Sequence, residues 1–321
     1  MIGVRTPFRV SFAGGGTDIP NFYREHGGMV ISTSINKYMY HFIHKFSQDE
    51  IQIKYSITEN LTNVSQIKHP IVREASKIFD LKGLDINSIA DIPKGSGLGS
   101  SSAYTVGLLH GLFLLNNKKI TKKELAEAAS DLEINKLGDP IGKQDHYASS
   151  CGGLNIFSFE KDDSVKVKKI NLDDKSLKFL SSSMALIKYG KSRQASTILS
   201  DQAKNLKSQK NLPQTLEILN LVPPMVQAIK SLEIKKIGEI LSENWHYKKQ
   251  LSNLITSQNL EEKLKSLTGS KNIYGGKLLG AGGNGYILVI GDPKEIKKIN
   301  GPGVVNFDLE KFGSKKIYSD E

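Results

Sequence analysis

Residues 93–103 read Pro-Lys-Gly-Ser-Gly-Leu-Gly-Ser-Ser-Ser-Ala, and no other stretch constrains the fold of this chain as strongly. The stretch lies between a short apolar segment, Ile86 to Ile92, and a long apolar helix candidate, Ser100 to Leu115. Gly95, Gly97 and Gly99 let the backbone turn its N–H groups inward and approach a ligand closely. Ser100, Ser101 and Ser102 then open the helix, where unpaired N–H groups and the positive end of the dipole favour an anion. Lys94, Gly95, Ser96, Gly97, Leu98, Gly99 and the three serines are therefore a candidate polyphosphate cradle. A serine hydroxyl at the helix mouth suits Mg²⁺. Taken alone, the same residues also read as a glycine turn with a serine cap.

The chain of 321 residues is long enough for about two domains with substantial cores. Its 38% hydrophobic and 24% charged content matches an ordinary globular protein. No apolar run reaches the roughly 18 to 20 residues of a membrane span. No secretory signal is visible at Met1 to Val10, and the lone Cys151 excludes an internal disulfide, so a cytoplasmic location is expected. The formal charge of +11 raises the question of nucleic acid. The excess is lysine on helix-like surfaces such as Lys204 to Lys210, without interleaved aromatics, and matches no nucleic-acid motif. No nucleic-acid or membrane partner is expected; a mild positive field would attract phosphorylated substrates.

Strand candidates fill the first 60 residues: Arg9 to Ala13, Met29 to Ile35, Tyr38 to His44 and Ile51 to Tyr55. Ile71 to Phe79 reads as a helix. Thr121-Lys-Lys-Glu124 is a capping box that opens a helix to about Leu137, with Gly138 beyond its end. Ile141 to Ser150 reads as a short helix and Gly153 to Phe159 as a strand. Residues 160–180 are charged and weakly patterned, a domain junction that divides the chain into 1–178 and 179–321. Met184 to Tyr189, Tyr286 to Ile290 and Val304 to Leu309 read as strands. Ser192 to Leu267 is mainly helical, with Pro213 and Pro223-Pro224 as breaks. Strands and helices that do not strictly alternate predict an α+β class.

Gly280-Ala-Gly-Gly-Asn-Gly285 formally matches G-x-G-x-x-G, but a strand follows it instead of a helix, which excludes a dinucleotide site. It fits a tight turn packed near another ligand-binding loop. Gly190-Lys191-Ser192 resembles the end of a P-loop, but Ala185 stands where the first glycine would be. The histidines form no zinc-binding pattern, and Cys151 reads as a buried small hydrophobe. Glu133 on the capped helix and Asp145 in Pro140-Ile-Gly-Lys-Gln-Asp145 read singly as ordinary helix acids. Gly14-Gly-Gly-Thr-Asp18 ends in a carboxylate able to accept hydroxyl hydrogens from a polyol.

Together these segments carry a resemblance. Pro93-x₃-Gly97-Leu-Gly-Ser-Ser101 resembles the phosphate-binding motif of the GHMP kinases. Thr6-Pro-Phe-Arg-Val-Ser-Phe-Ala-Gly-Gly-Gly-Thr-Asp18 resembles the family's first motif, and Lys277-Leu-Leu-Gly-Ala-Gly-Gly-Asn-Gly285 its third. The three stand in the family's order across almost the whole chain. Gly14-Gly15-Gly16 in place of the more common Gly-Glu-His, with Pro140 to Asp145, resembles the branch of D-glycero-D-manno-heptose 7-phosphate kinases and related fucokinase domains.

The resemblance implies a two-domain fold, ribosomal-protein-S5-domain-2-like and then ferredoxin-like. It also implies ATP-dependent phosphorylation of the anomeric C1 hydroxyl of a heptose 7-phosphate, with Mg²⁺, by a monomer or homodimer. By position, Asp145 matches the catalytic aspartate and Arg9 the basic residue beside it. Ser101 and Glu133 match the Mg²⁺ ligands; the separation of Glu133 from Asp145 is one residue longer than in mevalonate kinase. Asp18, with Gly16 and Thr17, matches the sugar-binding position. Gly282 and Gly283 shape the cleft, and Asn284 replaces a common glycine while tolerating left-handed geometry. A sugar phosphate also needs cations: Arg193, whose planar fork suits phosphate, and then Lys191 are the candidates in Lys188-Tyr-Gly-Lys191-Ser-Arg193. The alternatives are a kinase of an unphosphorylated sugar such as fucose, and a non-catalytic ligand sensor on the same scaffold.

Overall fold

The computed structural model describes residues 1–46, 49–190 and 196–320. Strands β1 (Ile2–Ala13), β2 (Gly28–Lys45), β3 (Ile51–Lys54), β4 (Thr58–Leu61), β5 (Leu84–Ala90), β6 (Leu154–Phe159) and β7 (Val165–Lys169) belong to one large sheet. Strands β8 (Met184–Tyr189), β9 (Ile273–Leu278), β10 (Gly285–Gly291) and β11 (Val304–Val305) form a second, antiparallel sheet in the order β11-β8-β10-β9. The last strand, β12 (Lys315–Ser319), returns to the large sheet and pairs with β1. The helices are α1 (Pro20–His26), α2 (Pro70–Ala75), α3 (Ser100–Leu115), α4 (Lys122–Asp131), α5 (Gln144–Cys151) and α6 (Asp174–Ser182), followed by α7 (Ser196–Lys207), α8 (Leu212–Asn220), α9 (Val222–Lys230), α10 (Ile234–Lys248), α11 (Gln258–Thr268) and α12 (Pro293–Lys298). This is the expected α+β class. None of the described helices is long and apolar enough to cross a membrane.

Several boundaries differ from the sequence reading for identifiable reasons. The two strand candidates at 29–35 and 38–44 are one continuous strand, β2. Pro7 of β1 has no N–H to donate, and the β1–β2 register shifts between Pro7 and Arg9. At that irregularity β2 pairs with the C-terminal segment instead: Ile35 bridges Leu309, and the Asn36 N–H donates to the Asp308 carbonyl at 2.9 Å. Only Val304–Val305 of the expected strand at 304–309 forms a ladder. Residues 160–180 hold β7 and the start of α6, whose charged faces hide their regularity from a pattern search. Pro213, Pro223 and Pro224 lie in the first turns of α8 and α9. As read, they stand at the breaks between α7, α8 and α9, and they open the new helices, because a first-turn N–H has no helical partner to lose.

Helix α3 is the central helix of the large domain, buried around most of its circumference. It can lie close to β1 and β2 because Gly107 and Gly111 face them. A Cβ at Gly107 would stand 2.6 Å from His41 Nδ1, and one at Gly111 would stand 2.8 Å from Ile43 Cδ1. The sheets meet where the loop after β9 is seated on the loop before α3. A Cβ at Gly97 would lie 2.5 Å from the Leu279 carbonyl oxygen, and one at Gly280 would lie 2.4 Å from Gly97 Cα. The Tyr286 N–H donates to the Ser96 carbonyl at 3.1 Å, closing the seam. Gly280 also holds φ +75°. Gly280→Ala should therefore cost about 1–3 kcal/mol through overpacking and backbone strain, read as a Tm lower by several degrees. An unchanged Tm would contradict the seam.

Candidate active site

Arg9 enters the site from β1, whose backbone is tied to the glycine-serine loop: the Arg9 N–H donates to the Leu98 carbonyl at 3.1 Å. Its side chain is 4% exposed, and its donors face two partners. Nε donates to Asp145 Oδ1 at 2.6 Å and Nη2 to Asp145 Oδ2 at 2.7 Å, while Nη1 donates to the Gly97 carbonyl at 2.6 Å. Such a bidentate, charge-assisted pair fixes both planes. Asp145 stands in the first turn of α5, where the helix dipole favours a carboxylate. It remains 21% exposed, and a Cβ at Gly99 would stand 3.1 Å from its Oδ2. The carboxylate thus abuts the mouth of α3, with one guanidinium joining it to the loop.

Asp18 is buried beside this pair. Its Oδ1 accepts from the Gly16 N–H at 3.0 Å and its Oδ2 from the Gln144 N–H at 3.1 Å, so it caps the start of α5. Burial raises its pKa above the usual carboxylate range, the Gln144 bond opposes the rise, and the negative charge of Asp145 adds to it. Asp18 therefore lies within electrostatic reach of Asp145. The Thr17 hydroxyl does not meet its expectation. It is buried, donates toward the Gly14 carbonyl (2.8 Å) and the Met29 carbonyl (2.9 Å), and accepts from the Met29 N–H (3.0 Å). That hydroxyl holds the glycine turn to β2 and is not presented to a substrate.

Glu133 is completely buried, within a π-helical turn, Leu132–Lys136, that continues α4. A π turn absorbs one extra residue without ending a helix and is common at functional sites. That is a physical account of the longer Glu133–Asp145 spacing. The Thr105 hydroxyl donates to Glu133 Oε1 and lies 3.2 Å from the Ser101 carbonyl, one turn earlier on α3. Glu133 Oε2 has no hydrogen-bond partner; His146 Nε2 stands 3.6 Å away. A buried, unpaired carboxylate oxygen below the exposed Ser101 fits a hard cation. Among the described residues no group of three or more His, Cys, Asp or Glu could hold a metal, so further oxygens would have to come from a ligand.

The loop after β9 closes the opposite side. The Gly283 N–H donates to the Ile255 carbonyl at 2.8 Å, and Gln202 Nε2 of α7 reaches the Ala281 carbonyl at 3.2 Å. Asn284 does not use left-handed geometry. Its side-chain oxygen instead occupies the place of a Cβ at Gly190, 2.1 Å from the ideal position. Lys191 and Arg193 lie outside the described residues. The last described residue before them, Gly190, borders a small cleft with Lys94, Gly95 and Ser96. Lys277 of the third motif is buried, donating to the Phe12 carbonyl (2.8 Å) and Asn244 Oδ1 (2.9 Å). Half-buried Lys248, at the end of α10, donates to the Gly280 carbonyl. Burial pushes the Cys151 thiol up to about 11, which disfavours the thiolate at neutral pH.

Residues 65–153, containing the loop, Glu133 and Asp145, match the family model described as GHMP kinases N terminal domain. That stretch is a GHMP kinase N-terminal domain. The chain is 28% identical to the D-glycero-alpha-D-manno-heptose 7-phosphate kinase of Campylobacter jejuni, over 98% of each chain. It is 24% identical to the bifunctional fucokinase/GDP-fucose pyrophosphorylase of Arabidopsis thaliana, over 92% of this chain and 30% of that protein. Its fold matches a D-glycero-D-manno-heptose 1-phosphate kinase from Bacteroides thetaiotaomicron with a TM-score of 0.80, at 24% identity over 99% and 100% of the two chains.

Sequence reasoning passed over Thr105, Lys248 and Gln202. Each lies on a regular helix with nothing in its neighbours to mark it, and only the packing brings it to the site. Thr17→Val should leave buried backbone groups unpaired and cost about 1–3 kcal/mol, while Thr17→Ser keeps the hydroxyl and stability close to wild type. A valine variant of unchanged Tm but raised sugar KM would instead give Thr17 a role at the substrate.

Proposed function

We propose that this GHMP kinase transfers the γ-phosphoryl group of ATP to the anomeric C1 hydroxyl of D-glycero-D-manno-heptose 7-phosphate, giving the 1,7-bisphosphate and ADP. The observation that carries the reading is the Arg9 guanidinium, which binds Asp145 with two donors and the phosphate loop with another. A base and a phosphate cradle joined in this way suit phosphoryl transfer, which depends on positioning and charge neutralisation. Asp145 accepts the C1 proton as the C1 oxygen bonds to the γ-phosphorus and the bond to the β,γ-bridging oxygen breaks. Arg9 steadies the carboxylate and the developing alkoxide charge. The loop from Lys94 to Ser102 holds the phosphates through its N–H groups, and Asp18, with the Gly16 backbone, orients sugar hydroxyls. Ser101 and Glu133 would hold Mg²⁺, which when bound offsets the charge of the β- and γ-phosphates.

The named relatives differ over which phosphate the acceptor carries. The 7-phosphate reading follows the Campylobacter protein and assigns Arg193, with Lys191, to that phosphate. A fucokinase-like activity on an unphosphorylated sugar is the second reading, favoured by the match to the plant fucokinase. We place the domain division at 178/179, within α6, which leads from β7 to β8, and the reaction in the cytoplasm.

The test is ADP release across heptose 7-phosphate, mannose 6-phosphate, fucose and galactose, with the product position read by ³¹P NMR. Heptose 7-phosphate should give the highest kcat/KM. A preference for fucose selects the second reading, and no turnover with any sugar leaves a ligand sensor. Asp145→Asn should lower kcat by about 10²–10⁴ with Tm retained; wild-type kcat would remove Asp145 as the base. Arg193→Ala should raise KM for the sugar phosphate while leaving KM for ATP unchanged. Glu133→Gln should weaken Mn²⁺ binding to the nucleotide complex, measured by electron paramagnetic resonance.

A further inference from the structure

Lys248 has no place in the roles assigned so far, yet it stands at the centre of the site. Its Nζ donates to the Gly280 carbonyl. Gly280 is packed on Gly97, the Gly97 carbonyl accepts from Arg9, and Arg9 holds Asp145. This chain of contacts places the ammonium at the seam between the phosphate loop and the base, where the transferring group must pass. Among the described residues no carboxylate pairs with it within 4.0 Å. Its one hydrogen-bond partner is a neutral carbonyl, which leaves donors of the ammonium uncommitted.

Lys277 offers a contrast. It is more deeply buried, and its donors are taken by the Phe12 carbonyl and Asn244 Oδ1, so it ties β1, β9 and α10 together. Burial, with Lys248 and Arg9 nearby, drives its pKa well down. Lys248 is the less committed of the two: it ends α10 and, among the described residues, holds a single acceptor.

We propose that Lys248 is a further catalytic residue of this kinase, whose ammonium leaves the Gly280 carbonyl and donates to the transferring phosphoryl group as it passes from ATP to the acceptor. The inference rests on the kinase reading above. Charge spreads over the equatorial oxygens of the phosphoryl group in the transition state, and a cation already held at that seam stabilises it with little reorganisation. Lys248 takes no part in the bonding changes. The proton goes to Asp145, and ADP leaves with the electrons of the broken bond. The distant sugar phosphate is not its partner, since C1 and the 7-phosphate are opposite ends of the acceptor.

Charged neighbours face Lys248 from each side: Arg9 of β1, Asp18 after β1, Asp145 of α5 and Lys277 of β9. Burial first, then Arg9, pushes its pKa down to about 8, against the opposing pull of Asp145 and Asp18. The charged form is the competent one, so kcat/KM should fall as pH rises through about 8.

The experiment compares wild type with Lys248→Met and Lys248→Arg. Lys248→Met should lower kcat about 10²–10³-fold. It should bind Mg·AMPPNP within about threefold of wild type while losing about 10²-fold in affinity for Mg·ADP with aluminium fluoride and sugar. Lys248→Arg should recover part of kcat and move the alkaline limb to higher pH. If the methionine variant folds poorly, Lys248→Cys treated with 2-bromoethylamine rebuilds an ammonium, with treated wild type as the control; recovered turnover supports the proposal. A methionine variant with kcat within threefold of wild type overturns it. So does equal weakening of both nucleotide analogues with a lower Tm, which would make Lys248 a structural tie to Gly280. Absence of wild-type turnover with every sugar would count against the kinase reading, whereas wild-type turnover with an indifferent Lys248→Met would count against this inference alone.

Discussion

The Arg9 guanidinium is the interaction on which the site depends. It joins a strand of the large sheet, the phosphate loop and the first turn of α5 in one set of short, charge-assisted bonds. Without it Asp145 would lose its two-donor partner beside the buried Asp18, whose pKa burial already raises. The fork also fixes the orientation of the carboxylate, which a single point charge would leave free to rotate.

Around that fork the fold supplies rigidity by close backbone contact. Gly97 and Gly280 allow two loops, far apart in sequence, to pack backbone on backbone. Gly107 and Gly111 bring α3 against the sheet that carries Arg9. The mouth of α3, the base and the third loop are therefore held by elements that cannot shift independently. The π turn at Glu133 follows the same logic: the helix changes its winding so that a buried carboxylate meets Thr105 beneath the phosphate loop.

Much of this was legible in the sequence where a local rule governs. The capping box at Thr121 forms as read, Gly138 takes a positive φ just beyond the helix, and the 280–285 turn packs near a second loop. Readings failed where a distant segment intervened. The unity of β2 depends on residues 308–310, and the role of Thr17 depends on Met29. Charged alternation hid β7, because one face of that strand is exposed and lysine-rich.

The sequence by itself determined the chemistry available to this protein: three glycine turns, serines at a helix mouth, and acids and an arginine at recognisable positions. These are properties of residue type and short spacing, which local sterics and dipoles dictate. The tertiary structure alone decided which groups meet. It turned the Arg9 fork onto both Asp145 and Gly97, left Glu133 Oε2 buried and unpaired, committed the Thr17 hydroxyl to the backbone, and brought Lys248 to Gly280. Each of these contacts joins segments separated by packing and chain return, and no local rule in a one-dimensional sequence encodes the distance between them.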